Sequence, residues 1–386
     1  MPELPEPSAD ELAHSARLQT LIAEQLSAAG GLLPFDRYME LALYAPGLGY
    51  YTAGARKFGA EGDFVTAPEI SPLFGRCLAR QVLQVLAHLG GGDLLEFGAG
   101  SGALALQLLS ELETLGRLPS RYLILELSPE LRQRQRVLLE ERLPALVGRV
   151  QWLDRLPEAG FRGVVIANEL LDAMPVHRFR VEDGRVREQF LCREGDGLGL
   201  CWAAPADSAL EAAVSRLPPL PDGYESELNL RAAPWLHALA ERLQTGLVLL
   251  IDYGYPRALY YHPARHRGTL MCHYRHRAHP DPLRHPGLQD ITAHVDFTAL
   301  AEAAVAAGLQ VAGFTTQAFF LMGSGLQQLV AAADPSDVAT HMRLVQGVRR
   351  LTLPGEMGER FKVLGLSRDL PLPLLGFSVR DMRERL

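Results

Sequence analysis

Leu94-Leu95-Glu96-Phe97-Gly98-Ala99-Gly100-Ser101-Gly102 is the stretch on which the fold turns. A short apolar strand ends in Gly-x-Gly, and a leucine-rich run with helical spacing, Ala103 to Leu115, follows at once. Glycine lets the backbone turn sharply and lets a ligand approach where a Cβ would intrude, and the amides at the new helix N-terminus face that ligand with a positive field. Working outward, apolar strands and helices alternate. Tyr122 to Leu127 reads as a second strand, Pro129 to Leu143 as a polar-faced helix, Val147 to Leu153 as a third strand and Gly163 to Ala167 as a fourth. The pattern resumes with a helix near Pro234–Gln244, a strand at Leu247 to Ile251, a helix at Phe297–Ala307, a strand at Val311–Thr316 and a final strand at Phe361–Leu366. Buried runs of this length separated by helices call for a mostly parallel sheet covered on both faces, an α/β fold.

The turn alone leaves two ligands open. Gly98-x-Gly100-x-x-Ala103 satisfies the dinucleotide fingerprint, in which a carboxylate such as Glu126 at the end of the second strand takes the ribose hydroxyls. Glu96, two residues before the first glycine, leans the other way: a carboxylate there repels a pyrophosphate but suits the ammonium and sulfonium of S-adenosyl-L-methionine. Asn168-Glu169-Leu170-Leu171-Asp172 follows the fourth strand directly, and ligands of such sheets bind at the carboxyl ends of the strands. Glu169 and Asp172 either hold a cationic acceptor, such as a guanidinium that stays protonated at neutral pH, or cap a following helix.

Outside this core, Ser8 and Glu11 have capping-box spacing ahead of a helical stripe, Leu12 to Leu26. Ser71-Pro72 offers an N-cap and an N1 proline for the helix that ends at Gly90. Between them, Pro34 to Pro72 is rich in Tyr and Gly and reads as an ordered loop; its segment 44–58 either folds over the cofactor as a lid or packs the N-terminal helices. Asp183-Gly184 marks a hairpin within an insertion at about 177–230. Seven of the twelve histidines lie between His262 and His294, in a His/Arg-rich loop at about 255–290. Interleaved arginines oppose a metal there, so none is assigned. His294 either orients an acceptor nitrogen or is a hydrogen-bonded structural histidine. Asp252-Tyr253-Gly254 ends the fifth strand as a contact or a turn.

Composition excludes several classes. Net charge is −7, which argues against nucleic acid as the main partner, and no apolar run approaches the roughly 20 residues of a membrane span. The first thirty residues are acidic and read as neither secretory signal nor transit peptide. Four scattered cysteines (Cys77, Cys192, Cys201, Cys272) suit reduced thiols. A cytoplasmic location is expected.

The ordered blocks Gly62 to Ser71, Glu96 to Gly102, Glu126 to Leu131, Asn168 to Ala173, Ile251 to Gly254, Gly268 to Leu270, Asp290 to Phe297, Thr316-Gln317 and Met357 to Leu364 resemble the MidA-like methyltransferases. The resemblance implies a class I methyltransferase, Rossmann-like, with a seven-stranded sheet, an N-terminal helical segment at 1–90 over the cofactor, and a core at 91–386 with insertions at 177–230, 255–290 and 325–351. It implies S-adenosyl-L-methionine as cofactor, held by Glu96, Gly98, Gly100, Gly102, Glu126 and Ser128. It implies acceptor binding at Glu169 and Asp172 and, from the mitochondrial members, a protein arginine as acceptor; small-molecule acceptors and a homodimer stay open. Ala99 and Leu170-Leu171 stand where many members carry Pro and Phe-Phe. The rival readings are a non-catalytic assembly factor that keeps the fold and a nicotinamide or flavin oxidoreductase that uses the same turn.

Overall fold

A computed structural model of the chain describes residues 4–53, 65–195, 197–334 and 336–386. These gather into two compact units: one from Met1–Phe64, Leu171–Pro234 and Tyr255–Asp296, the other from Val65–Leu170, Trp235–Gly254 and Phe297–Leu386.

The second unit holds a mostly parallel sheet, as expected of an α/β fold. Its strands are β1 (Asp93–Phe97), β2 (Tyr122–Leu125), β3 (Val150–Leu153), β4 (Phe161–Asn168), β5 (Leu243–Tyr255), β6 (Gln310–Thr316) and β7 (Phe361–Arg368). The path across the sheet runs β6-β7-β5-β4-β1-β2-β3, and an eighth short strand lies off that path. Strands β1 to β5 pair in parallel, while β7 runs antiparallel to both β5 and β6. Every residue of β1 is buried, as a strand covered on both faces requires. Leu94, Val164, Ile166 and Leu249 share one core with Leu78, Val82 and Leu86 of α1 (Leu73–Leu89) and Leu104 and Leu108 of α2 (Ala103–Thr114). Each such side chain contributes roughly 1.5–3 kcal/mol by leaving water. Helix α3 (Pro129–Arg142) starts from Ser128, whose side chain accepts from the Leu131 amide.

Two boundaries shift for local reasons. Helix α1 starts at Leu73 with Pro72 in the cap position, so Ser71 bonds the Leu73 amide from one residue further out. The third strand is shorter than its apolar run, because Val147–Arg149 forms a single 3-10 turn before β3.

The first unit opens with helix Ala9–Ala28, which forms the predicted capping box between Ser8 and Glu11. The expectation of a loop from Pro34 is corrected over ten residues. Phe35–Tyr44 is a helix that buries Phe35, Tyr38, Met39, Ala42 and Leu43, an apolar stripe at helical spacing that the surrounding glycines obscure. Of the segment 44–58, residues 54–58 lie outside the described residues, as do Gly62, Asp63 and Phe64. Strands Leu33–Pro34, His177–Glu182, Arg185–Glu194, Gly197–Ala203 and Glu225–Leu228 form an antiparallel sheet. Its hairpin turns at Asp183-Gly184, both at positive φ (51° and 70°). The stretch 255–290 is corrected from loop to part of a small sheet, with Arg277–His279, Met271–Tyr274 and Asp290–Thr292 paired in that order. Among the described residues no helix is long and apolar enough to cross a membrane.

Candidate functional site

The carboxyl ends of β1, β2 and β4 carry the site of the sheet unit. At the end of β1, Glu96 is 3% exposed and accepts a hydrogen bond from the Tyr122 hydroxyl at 2.6 Å. Burial pushes its carboxyl up to about 7, the Tyr122 bond pulls it back, and the charge of Glu126 adds to the rise. The turn that follows has Gly98, Gly100 and Gly102 at φ of 60°, 54° and 84°, a region that side-chain-bearing residues rarely adopt. A Cβ on Gly102 would also stand 3.3 Å from Gln135 Cγ and Leu138 Cδ2, so this glycine lets α2 and α3 pack closely.

Glu126, just past β2, is buried and accepts from the Ser128 amide (3.1 Å), the Gly100 amide (3.4 Å) and Gln135 Nε2 (3.2 Å). Burial raises its carboxyl and those bonds lower it. The Leu127 amide is a further donor to the same carboxylate. Ser128 serves this carboxylate through its amide, while its hydroxyl caps α3. Sequence reasoning missed Gln135. Fully buried, it also donates to the Gly100 carbonyl (2.9 Å) and accepts from Trp152 Nε1 (2.9 Å), joining α3, β3 and the glycine turn. Its spacing from Leu131 and Leu139 on one helix face is the one signal the sequence offers. Arg132 closes the same edge, donating to the Glu126 carbonyl (2.5 Å) and the Leu153 carbonyl (2.8 Å).

At the end of β4, Glu169 stands at φ 53° without being glycine, a conformation that costs of order 1–3 kcal/mol and persists where its surroundings enforce it. Its amide donates to the Ile251 carbonyl (2.9 Å), and its Oε1 accepts from the Ala67 amide (3.3 Å) and Asn168 Nδ2 (3.2 Å). The next residue adjoins the glycine turn: a Cβ on Gly98 would lie 3.5 Å from Leu170 Cδ1. The sheet unit thus holds Glu96, the three glycines, Glu126, Ser128 and Glu169.

Asp172 and His294 belong to the other unit, which the chain enters after Leu170. There the two segments meet. The Ala293 amide donates to the Asp172 carbonyl (3.0 Å), and the His294 amide donates to Thr269 Oγ1 (3.0 Å). The His294 ring stacks on Tyr255, with 5.4 Å between centroids. Thr269 is fixed in turn by buried Glu227, which accepts from its amide and its hydroxyl. Tyr44 donates to the Ala173 carbonyl and stacks on Tyr51, whose hydroxyl donates to Asp290.

In the histidine-rich stretch, burial lowers His273 and His279 from the ordinary imidazole range. Among the described residues, ligand atoms of Asp36, His177 and Glu188 lie within 4.8 Å of one another. Arg231 already pairs with Asp36 at 2.9 Å, and the two ring nitrogens of His177 face different carboxylates, so an ion-pair network accounts for the group.

Comparison with known proteins places this geometry. The family described as "Putative S-adenosyl-L-methionine-dependent methyltransferase" matches residues 77–315. The mitochondrial protein arginine methyltransferase NDUFAF7 homolog of Drosophila melanogaster is 31% identical, over 97% of this chain and 92% of that protein. The mitochondrial NDUFAF7 of Mus musculus is 30% identical, over 87% of this chain and 81% of that protein. These names give the cytoplasmic expectation no support. Among solved structures, a Burkholderia thailandensis protein bound to S-adenosyl-homocysteine superposes with a TM-score of 0.96 at 44% identity, each chain covered in full. The chain therefore belongs to the family of S-adenosyl-L-methionine-dependent methyltransferases, which decides between the two ligands that the glycine turn left open.

Proposed function

We propose that this chain methylates a guanidinium nitrogen of a protein arginine, with Glu169 binding the acceptor beside the cofactor turn. The observation that carries the reading is the approach of Leu170, the residue next to Glu169, to Gly98 of the glycine turn within the sheet unit. The curated relatives, named protein arginine methyltransferases, support the same acceptor.

The residues at the sheet edge fit the cofactor. Glu96 is a buried carboxylate that gains by meeting a cation, and Glu126 is a carboxylate at the end of β2, where ribose hydroxyls can be accepted. Gly98 and Gly100 keep side chains out of the turn, while Ser128 and Gln135 hold Glu126 in place. Bound there, S-adenosyl-L-methionine supplies an electrophilic methyl group on its sulfonium. Glu169 contributes alignment: its position is fixed by Ala67, Asn168 and Ile251, and a carboxylate matches the planar donor fork of a guanidinium.

The test is transfer of a tritiated methyl group from S-adenosyl-L-methionine into lysate protein by wild type and Glu169→Gln. Cofactor affinity is expected to stay within about twofold of wild type in the variant, while transfer falls by at least about a hundredfold, the scale of removing one well-placed polar group. Equal labelling by both would overturn the role of Glu169.

A further inference from the structure

Two of the four cysteines sit side by side, outside the site described above. Cys192 lies on strand Arg185–Glu194 and Cys201 on strand Gly197–Ala203. The antiparallel register pairs Phe190 with Cys201 and Cys192 with Gly199, so both thiols project from the same face as diagonal neighbours. Both are half-buried, whereas Cys77 and Cys272 are fully buried.

We propose that Cys192 and Cys201 form a thiol–disulfide exchange site, closed to an intramolecular disulfide by a small-molecule disulfide such as glutathione disulfide. In an ideal ladder, diagonal Cα atoms stand about 7–8 Å apart, slightly beyond the span of a disulfide, so one strand must give a little. The strand carrying Cys201 is able to. Among the described residues it pairs with one neighbour only, and it contains Gly197 and Gly199. The thiols are already in contact. Burial, then a hydrogen bond with Cys192, pushes the Cys201 thiol up to about 11.

The exchange balances. The Cys192 thiolate attacks one sulfur of glutathione disulfide, giving a mixed disulfide and one glutathione thiolate. The Cys201 thiol loses its proton and displaces the second glutathione. Both protein sulfurs are oxidised, the external disulfide is reduced to two thiols, and the two protein protons pass to solvent or to the released thiolates. Burial holds Cys77 up at about 12 and Cys272 well above its usual range, which makes them internal controls.

The experiment treats the full folded chain with glutathione disulfide at about pH 8, near the ordinary thiol pKa, then alkylates and maps peptides without reductant. The expected result is a Cys192–Cys201 linkage, with the free-thiol count falling from four to two and Cys77 and Cys272 still alkylated. Cys201→Ser should stop at one glutathione on Cys192. Separate, stable glutathione adducts on both cysteines, a linkage to Cys77 or Cys272, or four thiols retained would each overturn the proposal.

Discussion

The Tyr122 hydroxyl stands 2.6 Å from Glu96 Oε2, on the neighbouring strand of the sheet. It is the hydrogen bond that opposes burial at Glu96 and keeps that carboxyl near 7 rather than higher.

Cofactor affinity should therefore depend on pH. Below about 7, Glu96 in the free protein is largely protonated and presents no charge to a cation. Affinity is expected to rise as pH increases from 5 through about 7, about tenfold per unit while a proton must leave. Glu96→Gln should bind weakly and show no such rise. Tyr122→Phe removes a charge-assisted bond of roughly 1.5–3 kcal/mol and should move the midpoint upward by about one unit or more. The stability of the cofactor-free chain has the opposite sign. A carboxyl raised from 4.5 to about 7 contributes stability that is complete below 4.5 and lost as pH climbs through 7. That loss is on the order of 3 kcal/mol. Calorimetric titration across pH, with and without cofactor, measures both.

Gly98→Val places a β-branched residue at φ 60°, where even unbranched side chains are strained by roughly 1–2 kcal/mol. Its methyl groups fill the space that the turn keeps open. Binding of S-adenosyl-L-methionine should fall by at least a hundredfold. Gly102→Ala should act differently: its Cβ presses on Gln135 and Leu138, so a loss of thermal stability of about 1–3 kcal/mol is expected. Comparing melting temperatures with binding isotherms separates the two effects.

Gln135→Leu leaves Trp152 Nε1, the Gly100 carbonyl and one bond of Glu126 without their partner. Each such loss costs about 1–3 kcal/mol when buried. The variant should lose cofactor affinity and shift the fluorescence of Trp152. An unchanged isotherm would show that the network does not hold Glu126 for the cofactor.

The sheet was legible because its strands are short apolar runs closed by turn residues, and Glu96 and Glu126 stand where those runs end. Gln135 was not, because a polar residue on a polar-faced helix looks solvated until Trp152, on another strand, is folded against it. The small sheet at 271–292 was hidden for a different reason. Its two-residue turn uses Arg275 and His276 at positive φ (46° and 60°) where Asn-Gly would have announced a hairpin. The position of His294 depends on Thr269 and Glu227, residues distant in sequence that nothing local ties together. The strained backbone of Glu169 likewise has no signature in the chain; only the folded strand end imposes it.

The most direct measurement is the identity of the methylated residue. Lysate protein labelled by the wild-type enzyme with tritiated S-adenosyl-L-methionine is acid-hydrolysed and its amino acids separated. Label is expected in methylarginines and is lost with Glu169→Gln. Label confined to lysine, to carboxylates or to small molecules would contradict it.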